Sequence, residues 1–129
     1  MDLLLNESAE MENKIDVLKF TNEWIRSWNS HDLDDILNHY SDEVEITSPM
    51  IRLAAGLNTE TLKGKSFVAE YWEKALKKIP DLRFELIDTA VGINSVALYY
   101  RSVMNKKTVE VMFFDKDGKV NKVFAHYTK

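Results

Sequence analysis

From Leu82 onward the chain is a succession of β-prone segments separated by turns too short to hold a helix, and this constrains the fold more than any other feature. Residues 82–91, 96–104, 107–114 and 120–127 are rich in Val, Leu, Phe and Tyr. Between them lie Gly92 to Ser95, the pair Asn105-Lys106, and the turn signal Asp115-Lys116-Asp117-Gly118. Such short connections join only antiparallel neighbours, because a parallel pair needs a crossover of a dozen residues or more. The C-terminal part is therefore predicted to be a four-stranded antiparallel meander.

The residues ahead of the meander supply what covers it. Val17, Phe20, Trp24 and Trp28 recur at three- and four-residue steps, one face of a helix over residues 14–29. Asp32 is a good N-cap for a second, shorter helix carrying Leu33, Ile36, Leu37 and Tyr40 on one side. Val44, Ile46 and Ser48 alternate with Glu45 and Thr47, the pattern of a strand, which Pro49 stops. Residues 50–62 lack periodicity and read as a long loop with a short strand at 51–54. Ser66 is placed to cap a third helix with Val68, Trp72, Ala75, Leu76 and Ile79 inward, ended by Pro80. Three helices packed on one face of a curved antiparallel sheet form a two-layer α+β domain over residues 14–129. Residues 1–13, polar and acidic after Leu5, read as a frayed leader, with Met11 an alternative start.

Composition excludes several function classes. With 129 residues and no cysteine, the chain has room for one domain and can form neither a disulfide, a thiol nucleophile nor a thiolate metal site. Seventeen basic residues against 21 acidic ones, net charge -4, do not suit a nucleic-acid partner, which requires clustered Lys and Arg. His31, His39 and His126 have no metal-ligand spacing, and no metal or other cofactor is expected. No apolar run approaches a membrane span and no secretory signal is present, so the expectation is a cytoplasmic protein without membrane contact. Gly64-Lys65-Ser66 mimics the end of a phosphate-binding loop, but position 59 is Thr and no βαβ unit surrounds it.

Several short motifs, in order, carry a resemblance. The run Trp28-Asn29-Ser30-His31-Asp32-Leu33-Asp34, then Tyr40, the strand Val44 to Pro49, Leu62-Lys63-Gly64-Lys65 opening a helix, and Asp117-Gly118-Lys119-Val120 before the last strand resemble the nuclear transport factor 2-like superfamily. The likeness is closest to its SnoaL-like polyketide cyclase and ketosteroid isomerase branches. It implies a cone-shaped, cystatin-like α+β fold with a cavity between sheet and helices, and often a dimer through the outer sheet face. The family holds isomerases, cyclases, epoxide hydrolases, dehydratases and plain binding modules, so fold alone does not fix activity.

Strand alternation nominates the cavity-facing set. With Asn105-Lys106 as a two-residue turn, Arg101 lies opposite Glu110, and Tyr99, Arg101 and Val103 share a face with Thr108, Glu110, Met112 and Phe114. Asn121, Val123, Ala125 and Tyr127 continue that face, as do Phe84, Leu86 and Asp88. The opposite face then carries Val96, Leu98, Tyr100, Val109, Val111, Phe113, Phe124 and His126. An apolar outer face points to a homodimer. The expected pocket has Trp24, Trp28, Tyr40, Trp72 and Tyr99 as aromatic walls, with Ser48, Asp88, Met112, Val123, Ala125 and Tyr127 completing it.

The resemblance also implies where chemistry would sit, and the chain departs from it. The ketosteroid isomerase base falls at Ser48, its first-helix tyrosine at Trp24, and its second acid near Glu110. The cyclase last-strand aspartate falls at Ala125. The epoxide hydrolase acid–arginine–acid set has Arg101 and Glu110 as approximate counterparts, with Asp88 a distant third. The leading expectation is a binder of a small hydrophobic or aromatic molecule. The alternatives are a dimeric, non-catalytic interaction module, or a hydrolase, isomerase or dehydratase using Glu110 with Arg101.

Overall fold

A computed structural model describes residues 16–129; the expected leader at 1–13 and the start of the first helix fall outside them. Helix α1 (Val17–Ser30) begins at Asp16, whose side chain accepts from Lys19 N at 3.0 Å. It buries Thr21, Trp24, Ser27 and Trp28. It stops at His31, which takes a left-handed φ of 62° and donates its backbone N–H to Trp28 O. Helix α2 (Leu33–Leu37) follows, capped by Asp32 as the sequence predicts.

The motif that spans this junction has a structural purpose. The Asn29 amide brackets the backbone of Phe84, accepting from its N–H at 2.7 Å and donating to its carbonyl at 3.0 Å. His31 Nε2 meets Leu82 O at 2.7 Å. The end of α1 thereby clamps the segment that enters the meander, and holds Leu82 and Phe84 inward beneath Trp24 and Trp28.

Strand β1 (Tyr40–Thr47) buries Tyr40, Val44 and Ile46. The expected loop with a strand at 51–54 is instead helix α3 (Pro49–Leu53), capped by Ser48, with strand β2 (Thr61–Lys63) after it. Proline suits a helix's first turn, where its missing N–H has no partner to lose. Helix α4 (Lys65–Lys78) starts earlier than expected, with Gly64 rather than Ser66 at the cap. Gly64 has φ 94°, and its N–H is held by Val44 O at 2.8 Å. Only glycine adopts that backbone without strain.

The meander consists of β3 (Glu85–Gly92), β4 (Ser95–Arg101), β5 (Lys107–Phe114) and β6 (Val120–Tyr127). The sheet order is β2-β1-β6-β5-β4-β3, antiparallel except for β1 beside β6, which run parallel. The sheet is curved and unclosed, and the helices cover one face. The core between them contains Trp24, Ile36, Tyr40, Ile51, Val68, Trp72, Leu98, Met112 and Val123.

One register differs from the expectation, with large consequences. Residues 102–106 form the β4–β5 connection, with a 3-10 turn over Val103–Asn105 in which Met104 and Asn105 have φ of 55° and 60°. Arg101 therefore pairs with Lys107, and Glu110 pairs with Leu98. The displacement is by an odd number of residues, so every β4 side chain changes face. Val96, Leu98 and Tyr100 point inward and are buried, whereas Tyr99 and Arg101 lie on the other face. Irregularities act similarly elsewhere. One between Leu86 and Asp88 leaves Asp88 exposed, its carboxylate accepting from Thr89 N. One between Phe113 and Phe114 buries Val120 and exposes Asn121.

Candidate functional site

A cavity of about 140 Å³ lies between the helices and the inner face of the sheet. Helix α1 contributes Trp24 and Trp28, and α4 contributes Tyr71, Trp72 and Ala75. Met50 and Ala54 close one side, Leu82 and Phe84 another. The sheet supplies Tyr100, Glu110, Val123, Ala125 and Tyr127, and Ser48 and Val103 lie on its margin. The volume resembles that of an engineered cavity of about 150 Å³ that takes up benzene.

The walls are aromatic because the helical period and the sheet period coincide there. Trp24 and Trp28 are one helical turn apart and sit at ring centroids 6.2 Å from one another. Trp28 meets Trp72 edge to face at 5.0 Å, Trp24 stacks on Phe84 at 5.6 Å, and Phe84 meets Tyr100 at 4.6 Å. Trp24 Nε1 donates to Tyr40 Oη at 2.7 Å, behind the wall. Trp28 Nε1 also acts on Tyr40, but is too poorly placed for a well-formed hydrogen bond.

Glu110 is the one carboxyl among the lining residues, and none of them is a lysine, arginine or histidine. It is 8% exposed and accepts from Tyr100 Oη at 2.7 Å. Burial pushes its pKa up to about 7, with the Tyr100 hydrogen bond pulling the other way. Four phenols respond to its proximity. Burial and then the Glu110 charge raise Tyr71 to about 12, and raise Tyr40, Tyr100 and Tyr127 well above the ordinary phenol value, so all remain protonated near neutral pH. Contact with Ser48 works against the shift at Tyr127.

The structure brings together Trp24, Trp28, Ser48, Trp72, Glu110, Val123, Ala125 and Tyr127 of the nominated residues. Tyr40 and Met112 are fully buried but do not line the cavity. Tyr99, Asp88 and Arg101 lie outside it. Arg101 Nε approaches Glu85 Oε1 at 3.9 Å and its Nη1 donates to Asn105 at 3.1 Å, so it does not pair with Glu110. Sequence reasoning missed Tyr100, Tyr71 and Met50, whereas Phe84 and Val103, assigned to the cavity-facing set, do line it. For Tyr100 the signal was present in strand alternation and was inverted by the turn length. Ser48, where the resemblance to the isomerases would put a catalytic base, caps α3 by accepting from Met50 N at 3.2 Å.

Among the described residues no group of three or more His, Asp or Glu side chains is gathered to hold a metal ion. No described helix is long and apolar enough to cross a membrane.

Comparison with known proteins agrees with this architecture. The SnoaL-like domain family matches residues 21–128. A SnoaL-like protein of unknown function from Burkholderia thailandensis is 47% identical, with 87% of this chain and 93% of that one covered at a TM-score of 0.83. An NTF2-like protein of unknown function from Cytophaga hutchinsonii is 14% identical over 84% of this chain and 86% of that one, TM-score 0.66. The epoxide hydrolase/cyclase-like enzyme SalBIII, of pyran ring formation in the polyether salinomycin, is 17% identical over 94% of both chains, TM-score 0.69. The latter two likenesses are of fold. Among curated proteins nothing matches the sequence. The order of elements, the inward aromatic face and the extent of the match together place this chain in the SnoaL-like domain family, with an α+β fold of the NTF2-like, cystatin-like kind.

Proposed function

We propose that the protein binds a small, largely apolar molecule in the aromatic-walled cavity and presents Glu110 to a polar group on it. The observation that carries this is a carboxyl buried at a cavity wall with one phenol donor and no cation beside it. Ligand sites of this kind combine an apolar lining with a few convergent polar groups that fix orientation.

A catalytic version of the same reading is favoured by one register. Ala125, at the place of the cyclase aspartate, pairs across the sheet with Glu110. Paired residues on antiparallel strands share a face with their Cβ atoms about 5 Å apart. Glu110 therefore offers a carboxyl to nearly the same space from the neighbouring strand. A group with a pKa of about 7 suits proton transfer at neutral pH. Arg101 has no part in it.

A thermal-shift screen of ketones, lactones, epoxides and aromatic acids no larger than about ten heavy atoms tests the reading. A hit should raise Tm, and Trp72→Ala should weaken it. A screen in which no compound shifts Tm, with no NMR perturbation of the tryptophan indoles, would overturn it. For the catalytic version, a hit that is turned over should cease to be so in Glu110→Gln while still binding.

A further inference from the structure

We infer that the cavity selects a small organic cation, an ammonium group whose charge meets Glu110 and whose alkyl substituents rest on the tryptophan faces. This rests on the pocket reading above and assigns the charge of its occupant. All three tryptophans of the chain line the cavity. With Phe84 and Tyr100 they form a continuous aromatic surface, neighbouring centroids lying 4.6–6.2 Å apart. Aromatic faces attract cations within about 6 Å, indole most strongly, and more so where water is excluded.

The electrostatics are one-sided. The titratable groups facing Glu110 are the phenols of Tyr40 on β1, Tyr71 on α4, Tyr100 on β4 and Tyr127 on β6, all neutral near pH 7. Helices α1 and α3 bring Trp24, Trp28 and Met50, which carry no charge. The nearest arginine on the adjoining strand, Arg101, is turned to Glu85 on the other face. Ionised Glu110 thus has one hydrogen-bond donor, Tyr100 Oη, and no counter-ion among the described residues, and an entering cation supplies one. An anionic ligand would meet like charge in a poorly solvated site. A bare divalent ion is a poor fit, since it seeks six or more oxygens and the cavity offers one carboxylate. The volume of about 140 Å³ admits a group the size of a trimethylammonium with a short tail.

The test uses choline and its uncharged isostere 3,3-dimethylbutan-1-ol as probes, titrated by calorimetry and by indole NMR shifts at pH 6 and pH 8. With Glu110 titrating near 7, its ionised fraction rises about tenfold over that interval, so choline should bind about tenfold more tightly at pH 8. The alcohol should bind no more tightly at pH 8 than at pH 6. Glu110→Gln, checked for native circular dichroism, should abolish the pH dependence of choline binding and the preference for choline over the alcohol. The wild-type pH series stands alone if that variant fails to fold. An alcohol that binds at pH 8 as well as choline does, or choline affinity that is flat with pH, overturns the inference and leaves the pocket reading intact. Absence of binding by both probes also overturns it, and the pocket reading then stands or falls on its own screen.

Discussion

Glu110→Gln should make the protein more stable at pH 8 and leave it little changed near pH 4.5. The carboxyl is moved by burial from its ordinary 4.5 to about 7 in the folded chain, which corresponds to about 3 kcal/mol of ionisation free energy. Below 4.5 the carboxyl is protonated in both folded and unfolded chains and has no differential effect. Between 4.5 and 7 the unfolded chain has released the proton and the folded chain still holds it. Stability therefore falls as pH rises through this window, and the loss is complete above it. Glutamine has nearly the same shape, retains an oxygen to accept from Tyr100 Oη, and carries no charge at any pH. Denaturant unfolding of wild type and variant from pH 4.5 to 8.5 should give curves that diverge by up to about 3 kcal/mol, in favour of the variant at the alkaline end. Other titrating groups are common to both proteins and cancel in the difference. Two curves running parallel between pH 5 and pH 8 would show that Glu110 is not held in a poorly solvated site, and the reasoning about its pKa would fail.

Tyr100→Phe removes the hydrogen bond at 2.7 Å and should cost about 1.5–3 kcal/mol at pH 8, where the acceptor is charged, and clearly less at pH 5. Equal losses at both values in denaturant unfolding would mean that the phenol acts only by packing. Trp24→Phe empties part of a fully buried site and leaves Tyr40 Oη without its donor, so a loss of about 2–4 kcal/mol is expected; a Tm within a degree of wild type would contradict the packing described. Arg101→Ala breaks a pair at 3.9 Å whose side chains are 37% and 75% exposed, and an exposed hydrogen bond of 3.1 Å to Asn105. It should change stability by less than about 1 kcal/mol and leave the affinity of any cavity ligand unaltered, whereas a lost ligand would restore Arg101 to the site.

The fold was legible because its signals are local and repeated. Four turn-bounded β segments, helix caps at Asp32 and a proline stop at Pro80 do not depend on distant contacts, and the elements they mark are present in the expected order. Trp24, Trp28 and Trp72 were legible as walls for the same reason, since helical spacing fixes which residues share a face. The β4 contribution was not. Asn105-Lys106 has the length of a tight hairpin turn, but Met104 and Asn105 both adopt left-handed backbone and lengthen the connection to residues 102–106. Non-glycine residues enter that region at a cost that only the surrounding structure offsets. No pattern in the flanking strand announces it, because Val96, Leu98 and Tyr100 are as apolar as the face they were assigned to. The apolar outer face read from sequence accordingly loses these three residues to the core, while Phe113 and Phe124 remain outside it, each 37% exposed.

The same register changes how the missing acids are understood. Judged position by position, the chain lacks the carboxyls its family resemblance implies, with Ser48 and Ala125 in their places. Judged by space, Ala125 on β6 adjoins a carboxyl on β5, since Ala125 and Glu110 are partners in the ladder. Glu110 accepts a hydrogen bond from Tyr100 on the strand beyond, and the cavity it lines has an aromatic wall with no basic residue. Its environment therefore differs from that of an acid–arginine pair in the property that matters most for chemistry. Arginine would hold the group ionised at all physiological pH. Burial instead raises its pKa to about 7, so a cation entering the cavity would favour the ionised form and an anion the protonated one.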